Sequence, residues 1–66
     1  MLNPIKTGRE RLGLTQEGLA KRLGVSQQAV TKWETGESRP RAEKLPEIAR
    51  LLGCSVDDLF KEQTAS

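Results

Sequence analysis

Residues 15–35 read TQEGLAKRLGVSQQAVTKWET, and two short amphipathic helices are written into them. Thr15 is a good N-cap, and Gln16 and Glu17 open a helix predicted to run to about Leu23. Gly24 follows, where a helix end wants a residue able to take positive φ. Two positions on, Ser26 is a second N-cap, and it launches a helix from Gln27 to about Thr35. So tight a turn suits only two helices crossing at a steep angle. Ala20 offers the small side chain that such a crossing needs, Leu19 and Leu23 share one side of the first helix, and Val25 plugs the turn.

The two faces of the second helix differ in chemistry. At about 100° per residue, Ser26, Val30 and Trp33 cluster on one side with Glu34 at its border. Gln28, Thr31, Lys32 and Thr35 point the other way, and Gln27 sits on the flank at the first turn. These side chains donate or accept hydrogen bonds, and only one is charged. A face that merely meets water is usually richer in Lys and Glu, so the Gln27–Gln28 pair reads as recognition. The spacing is that of a helix-turn-helix, whose second helix enters the DNA major groove. An ordinary αα-hairpin in a small bundle is the alternative.

The run Thr15-Gln16-x-x-Leu19-Ala20-x-x-x-Gly24-Val25-Ser26-x-x-x-Val30-x-x-Trp33-Glu34-x-Gly36-x-x-x-Pro40 resembles the phage repressor and Cro type of helix-turn-helix DNA-binding domain. Leu45-Pro46-Glu47-Ile48-Ala49 and Leu52-Gly53-Cys54-Ser55-Val56-Asp57 match the closing segment of the same family. The likeness covers about residues 3 to 60. It implies an all-α, compact five-helix domain over residues 1–60, followed by a flexible tail at 61–66. Gly18 departs from the pattern, since many relatives carry a helix former there. A Gly inside a helix costs about 0.5 to 1 kcal/mol relative to Ala.

Composition agrees. Sixty-six residues allow one domain with one small core. One cysteine and no histidine leave neither a disulfide framework nor a plausible zinc site. No metal or cofactor is expected, and no small-molecule ligand is evident. Cys54 reads as a small buried apolar residue, with a reactive thiol as the alternative. No apolar run reaches membrane-spanning length, and Lys6, Arg9 and Glu10 interrupt any signal-peptide core. No membrane partner is expected, and a bacterial or phage-infected cytoplasm is the expected location. Residues 1–41 hold eight Lys and Arg against four Glu, whereas residues 42–66 hold three basic and five acidic groups. The positive half contains the helix-turn-helix, as a polyanion bound at one end would require.

The remaining segments read as support. Asn3 is a candidate N-cap, and Pro4 suits the first turn of a helix running to about Leu12, with Ile5 and Leu12 on one face and Arg9 between them. Residues 36–41 form a loop. A fourth helix carries Leu45, Ile48, Ala49 and Leu52, with Pro46 in its first turn or at a bend. Ser55 caps a last short helix from Val56 to about Phe60, with Asp57 and Asp58 in its first turn. Trp33 belongs to the core by its spacing from Val30; base stacking would need an exposed ring. Glu34 borders the inner face and needs a partner if buried. Arg9 is the candidate, and the resemblance implies an Arg–Glu pair at these positions; the alternative leaves both in solvent.

No nucleophile–base combination, phosphate-cradling glycine loop or acid pair in a plausible pocket is present, so an enzyme is not expected. The expected partner is double-stranded DNA, read by a sequence-specific transcription regulator on a pseudo-palindromic operator. Gln27 and Gln28 are expected to reach base edges, since Gln bonds adenine bidentately, with Thr31 and Lys32 beside them. Phosphate contacts are assigned to Thr15, Gln16, Ser26, Thr35, Arg39 and Arg41; the resemblance places phosphates at the start of the first motif helix. Val56, Leu59 and Phe60 are the expected contact of a weak homodimer strengthened on DNA, and the resembling domains pair through this region. The other possibility is that all three tuck into the core. With no second domain in the chain, a Cro-like or short repressor-like regulator fits. An antitoxin or other protein-interaction module with secondary DNA binding, or a restriction–modification controller, are the rivals.

Overall fold

The computed structural model describes residues 3–59. Phe60 and the tail predicted at 61–66 lie outside the described residues. Four α-helices follow one another: α1 (Pro4–Arg11), α2 (Gln16–Leu23), α3 (Gln27–Thr35) and α4 (Leu45–Leu52), the last entered through a single 3-10 turn at Ala42–Lys44. Residues 56–59 are helical again (α5), and no strand occurs among the described residues. The fold is all-α, as the sequence implies.

Local signals set the helix ends. The Thr15 and Ser26 hydroxyls accept the backbone N–H groups of Gly18 and Ala29 at 2.9 and 3.1 Å, which satisfies donors that a first helical turn leaves free. Gly24 closes α2 with φ 70°, a left-handed conformation that a side chain disfavours, so the chain can reverse within two residues. Pro46 lies in the first turn of α4, where its missing N–H leaves no helical bond unmade. Ser55 and Asp58 cap each other: the Asp58 N–H donates to Ser55 Oγ at 3.0 Å and the Ser55 N–H to Asp58 Oδ2 at 3.4 Å.

The core comprises Ile5, Leu19, Ala20, Leu23, Val30, Trp33, Leu45, Ile48, Ala49, Leu52 and Leu59. Burying each large side chain contributes about 1.5 to 3 kcal/mol. Trp33 is buried, so its ring packs in the core and does not stack on bases.

Three expectations need correction or extension. Leu12 does not share the Ile5 face in the core; it caps α1 and is 48% exposed. The chain turns away there, and Leu14 packs against the core instead. Gly8, in the middle of α1, lets α4 approach. A β-carbon at Gly8 would stand 3.0 Å from Leu52 Cβ, so α1 and α4 meet there at a distance that a methyl group would strain. Leu59 is fully buried, so it is a core residue and not a surface available to a second copy. Cys54 is half-buried against the core; burial, and then the charge of Asp58, push its thiol pKa up, away from a reactive thiolate.

Candidate nucleic-acid interface

Helix α3 is anchored along one side and open along the other. On the anchored side, Arg9 Nε donates to Glu34 Oε2 at 2.7 Å and Arg9 Nη2 to Oε1 at 3.1 Å, a two-point pairing of guanidinium and carboxylate. The pair is largely withdrawn from water, with side-chain exposures of 12% for Arg9 and 3% for Glu34. The expected Arg9–Glu34 pair is thus present. The bond to Glu34 raises the Arg9 pKa against the lowering effect of burial, and the charges of Glu34 and Glu10 add to it. The remaining Arg9 nitrogen, Nη1, donates to the Leu14 carbonyl at 2.8 Å, so one side chain ties α1, the α1–α2 turn and α3 together.

Asn3 adds a second tie. Its Oδ1 caps α1 by accepting from the Ile5 and Lys6 N–H groups, as its N-cap position predicts. Its Nδ2 also donates to the Trp33 and Glu34 carbonyls at 2.9 and 3.3 Å, satisfying the last turn of α3. Sequence reading found the first role and missed the second. The cap is a three-residue signal, whereas the second bond spans about thirty residues.

Gln16, expected on a phosphate, has its side chain engaged inside the protein. Nε2 donates to Glu34 Oε1 at 3.0 Å, and Oε1 accepts from the Thr31 hydroxyl at 2.7 Å. What remains for a phosphate at this position is backbone. The Gln16 and Glu17 N–H groups open α2, where a helix leaves its first donors without partners. Thr31 is only half-exposed, and its hydroxyl hydrogen is spent on Gln16.

The other sequence-derived contact residues are exposed: Thr15, Ser26, Gln27, Gln28, Lys32, Thr35, Arg39 and Arg41. Among the described residues, the side chains of Gln27, Gln28 and Lys32 make no internal hydrogen bond. Thr15 and Ser26 accept a helical N–H and keep their own hydroxyl hydrogens to donate outward. The Thr35 hydroxyl instead donates to the Lys32 carbonyl at 3.2 Å, so it must rotate before it can meet a phosphate. On the side of α3 away from Gln16, Arg39 and Arg41 line a shallow cleft of about 340 Å³ with Val25, Ala29 and Trp33. The outer face of α3 therefore lies between the start of α2 and a loop bearing two arginines.

A model of the helix-turn-helix family matches residues 5–59. The chain belongs to the helix-turn-helix family. The chain is 39% identical over 57 residues to repressor protein C2 of Salmonella phage P22, which agrees with the phage-repressor resemblance. It is 40% identical over 59 residues to the HTH-type transcriptional activator BcrR of Enterococcus faecalis. These alignments take in 86% and 89% of this chain but 26% and 28% of those proteins, so the chain spans about a quarter of each. It is also 40% identical over 60 residues to an HTH-type transcriptional regulator of Methanocaldococcus jannaschii, covering 91% of both chains.

Within this helix-turn-helix domain, the expected dimer contact loses Leu59, which is internal, and keeps Val56, 36% exposed. Phe60 lies outside the described residues. No helix among the described residues is long and apolar enough to cross a membrane.

Proposed function

We propose that this domain is a sequence-specific, DNA-binding transcription regulator that works in the cytoplasm with α3 in the major groove of its operator. The observation that carries this reading is the outer face of α3. Its Gln27, Gln28 and Lys32 side chains are exposed and, among the described residues, make no internal hydrogen bond, on a helix whose inner side is fixed by ion pair and core. Base recognition needs that combination, because a side chain spent on internal bonds cannot read a base and a loosely held helix cannot aim one. The amides at the start of α2 and the exposed Arg39 and Arg41 flank α3, where the two phosphate backbones bordering a groove would run. The relatives' names, among them a repressor and an activator of transcription, support the same reading.

One such domain covers too few base pairs to find a single site in a genome. Two copies spaced by about one helical turn, roughly 34 Å, on a pseudo-palindrome supply the missing information. Val56 lies in the region through which they would touch. The contact is small, so dimerisation is expected on DNA more than in dilute solution.

Selection of bound sequences from a random DNA pool tests the reading. The expected product is an inverted repeat with half-sites about one helical turn apart. A pool that shows no enrichment rejects DNA recognition, and enrichment of single half-sites filled without cooperativity rejects the dimer.

A further inference from the structure

Four side chains form one directional chain of hydrogen bonds across α1, α2 and α3. Arg9 can only donate, and it donates to Glu34 at 2.7 and 3.1 Å. An ionised carboxylate can only accept, so the end of the Gln16 amide lying 3.0 Å from Glu34 Oε1 is its NH2 group. That fixes the amide orientation and turns Gln16 Oε1 toward Thr31. An amide oxygen carries no proton, so the 2.7 Å contact between Gln16 Oε1 and Thr31 Oγ1 requires the hydroxyl hydrogen to lie between them. Turning that hydrogen outward would leave two oxygen lone pairs facing each other at hydrogen-bond distance. The charge pair at the buried end thus dictates the polarity of a hydroxyl at the edge of the outer face.

We infer that Gln16 is a positioning residue for base recognition, holding Thr31 as a hydrogen-bond acceptor that selects an amino-bearing base edge. With its hydrogen spent, Thr31 offers lone pairs to adenine N6 or cytosine N4, and it offers nothing to guanine O6 and N7 or thymine O4. A free threonine would serve either kind of edge by rotating its hydroxyl. The inference rests on α3 lying in the major groove, and it adds a specificity that the residue type alone does not carry.

Site selection with the full chain tests it, comparing wild type with Thr31→Val, Thr31→Ser and Gln16→Met. Thr31→Val identifies the base pair that Thr31 faces, as the position where preference falls. Removing that pair's amino group, with purine in place of adenine or 2-pyrimidinone in place of cytosine, is expected to weaken wild-type binding by about three- to tenfold, the worth of one net hydrogen bond, and to leave Thr31→Val binding unchanged. Thr31→Ser restores the preference that Thr31→Val loses. Gln16→Met frees the hydroxyl hydrogen, so the reversed pair, which turns an acceptor toward Thr31, rises at that position and at no other. Wild-type binding that is indifferent to the amino group overturns the inference, and this readout stands even if Gln16→Met fails to fold. An unchanged preference in folded Gln16→Met, or no position sensitive to Thr31→Val, overturns it as well. A wild type that enriches no sequence overturns the DNA reading itself, whereas an enriched wild type indifferent to that amino group overturns this inference alone.

Discussion

The two sides of α3 stand in contrast. The inner side carries Val30, Trp33 and Glu34, all withdrawn from water and tied to α1 and α2. The outer side carries Gln27, Gln28 and Lys32, exposed and without internal hydrogen bonds among the described residues. Nine consecutive residues thus serve as foundation and as tool, separated only by their angle around one helix axis. Substitutions on the inner side should cost stability and reach binding only through it. Those on the outer side should cost binding and leave the fold intact.

The largest effect is expected at the buried pair. Glu34→Ala leaves the Arg9 guanidinium without its carboxylate, and breaking such a pair costs about 3 to 5 kcal/mol. A domain this small holds little stability in reserve, so urea titration should find the variant largely unfolded. Replacing both partners with apolar residues should cost far less than the two single changes together. Additive losses in that cycle would show that the pair is not coupled.

Next is Gly8→Ala, away from α3 and a check that the fold's weak points are contacts rather than charges. The added methyl meets the Leu52 side chain at 3.0 to 3.2 Å, so Leu52 must give by a few tenths of an ångström inside the core. Overpacking of this kind costs about 1 to 3 kcal/mol, partly offset by the better helix propensity of Ala. Each kcal/mol lost should lower Tm by roughly 4 to 8 °C in a domain of this size. An unchanged Tm would show that the helices are free to shift.

On the outer side, Gln28→Ala should lose about 1 to 3 kcal/mol of affinity at one base pair, with an unchanged melting temperature. If specificity survives loss of both Gln27 and Gln28, α3 is oriented differently on DNA. Arg41→Ala should weaken binding to all sequences alike and reduce the salt dependence by about one phosphate. A change in the preferred site would instead show Arg41 reading bases or DNA shape.

The smallest effect is expected at Gly18. A β-carbon there would come 3.2 Å from Thr15 Oγ1, on an exposed side chain that can yield by a few tenths of an ångström. Gly18→Ala should therefore stabilise α2 by less than about 1 kcal/mol. A fall in Tm would show that the Thr15 cap cannot give way.

The ends of α2 and α3, the cap at Ser55, the place of Pro46 and the inward face of Val30 and Trp33 were all legible in the sequence. Each depends on residues within a turn or two of one another, where propensity, capping and helical period act directly. The family resemblance extended that reading to the Arg9–Glu34 pair. Other features depended on which segments approach in space. Leu12 and Leu59 are both apolar residues near helix ends, and nothing local says that the first is exposed and the second buried. Gly8 reads as a weak helix residue until Leu52 is packed on it. Gln16 looks like a surface amide at a helix start, yet it joins Glu34 to Thr31 because α2 crosses α3 at that point. Chain neighbours determined the helices by themselves; only the crossing of α1, α2 and α3 decided which polar groups are spent inside and which remain to meet a partner, because hydrogen bonds form at contact distance and sequence separation does not report it.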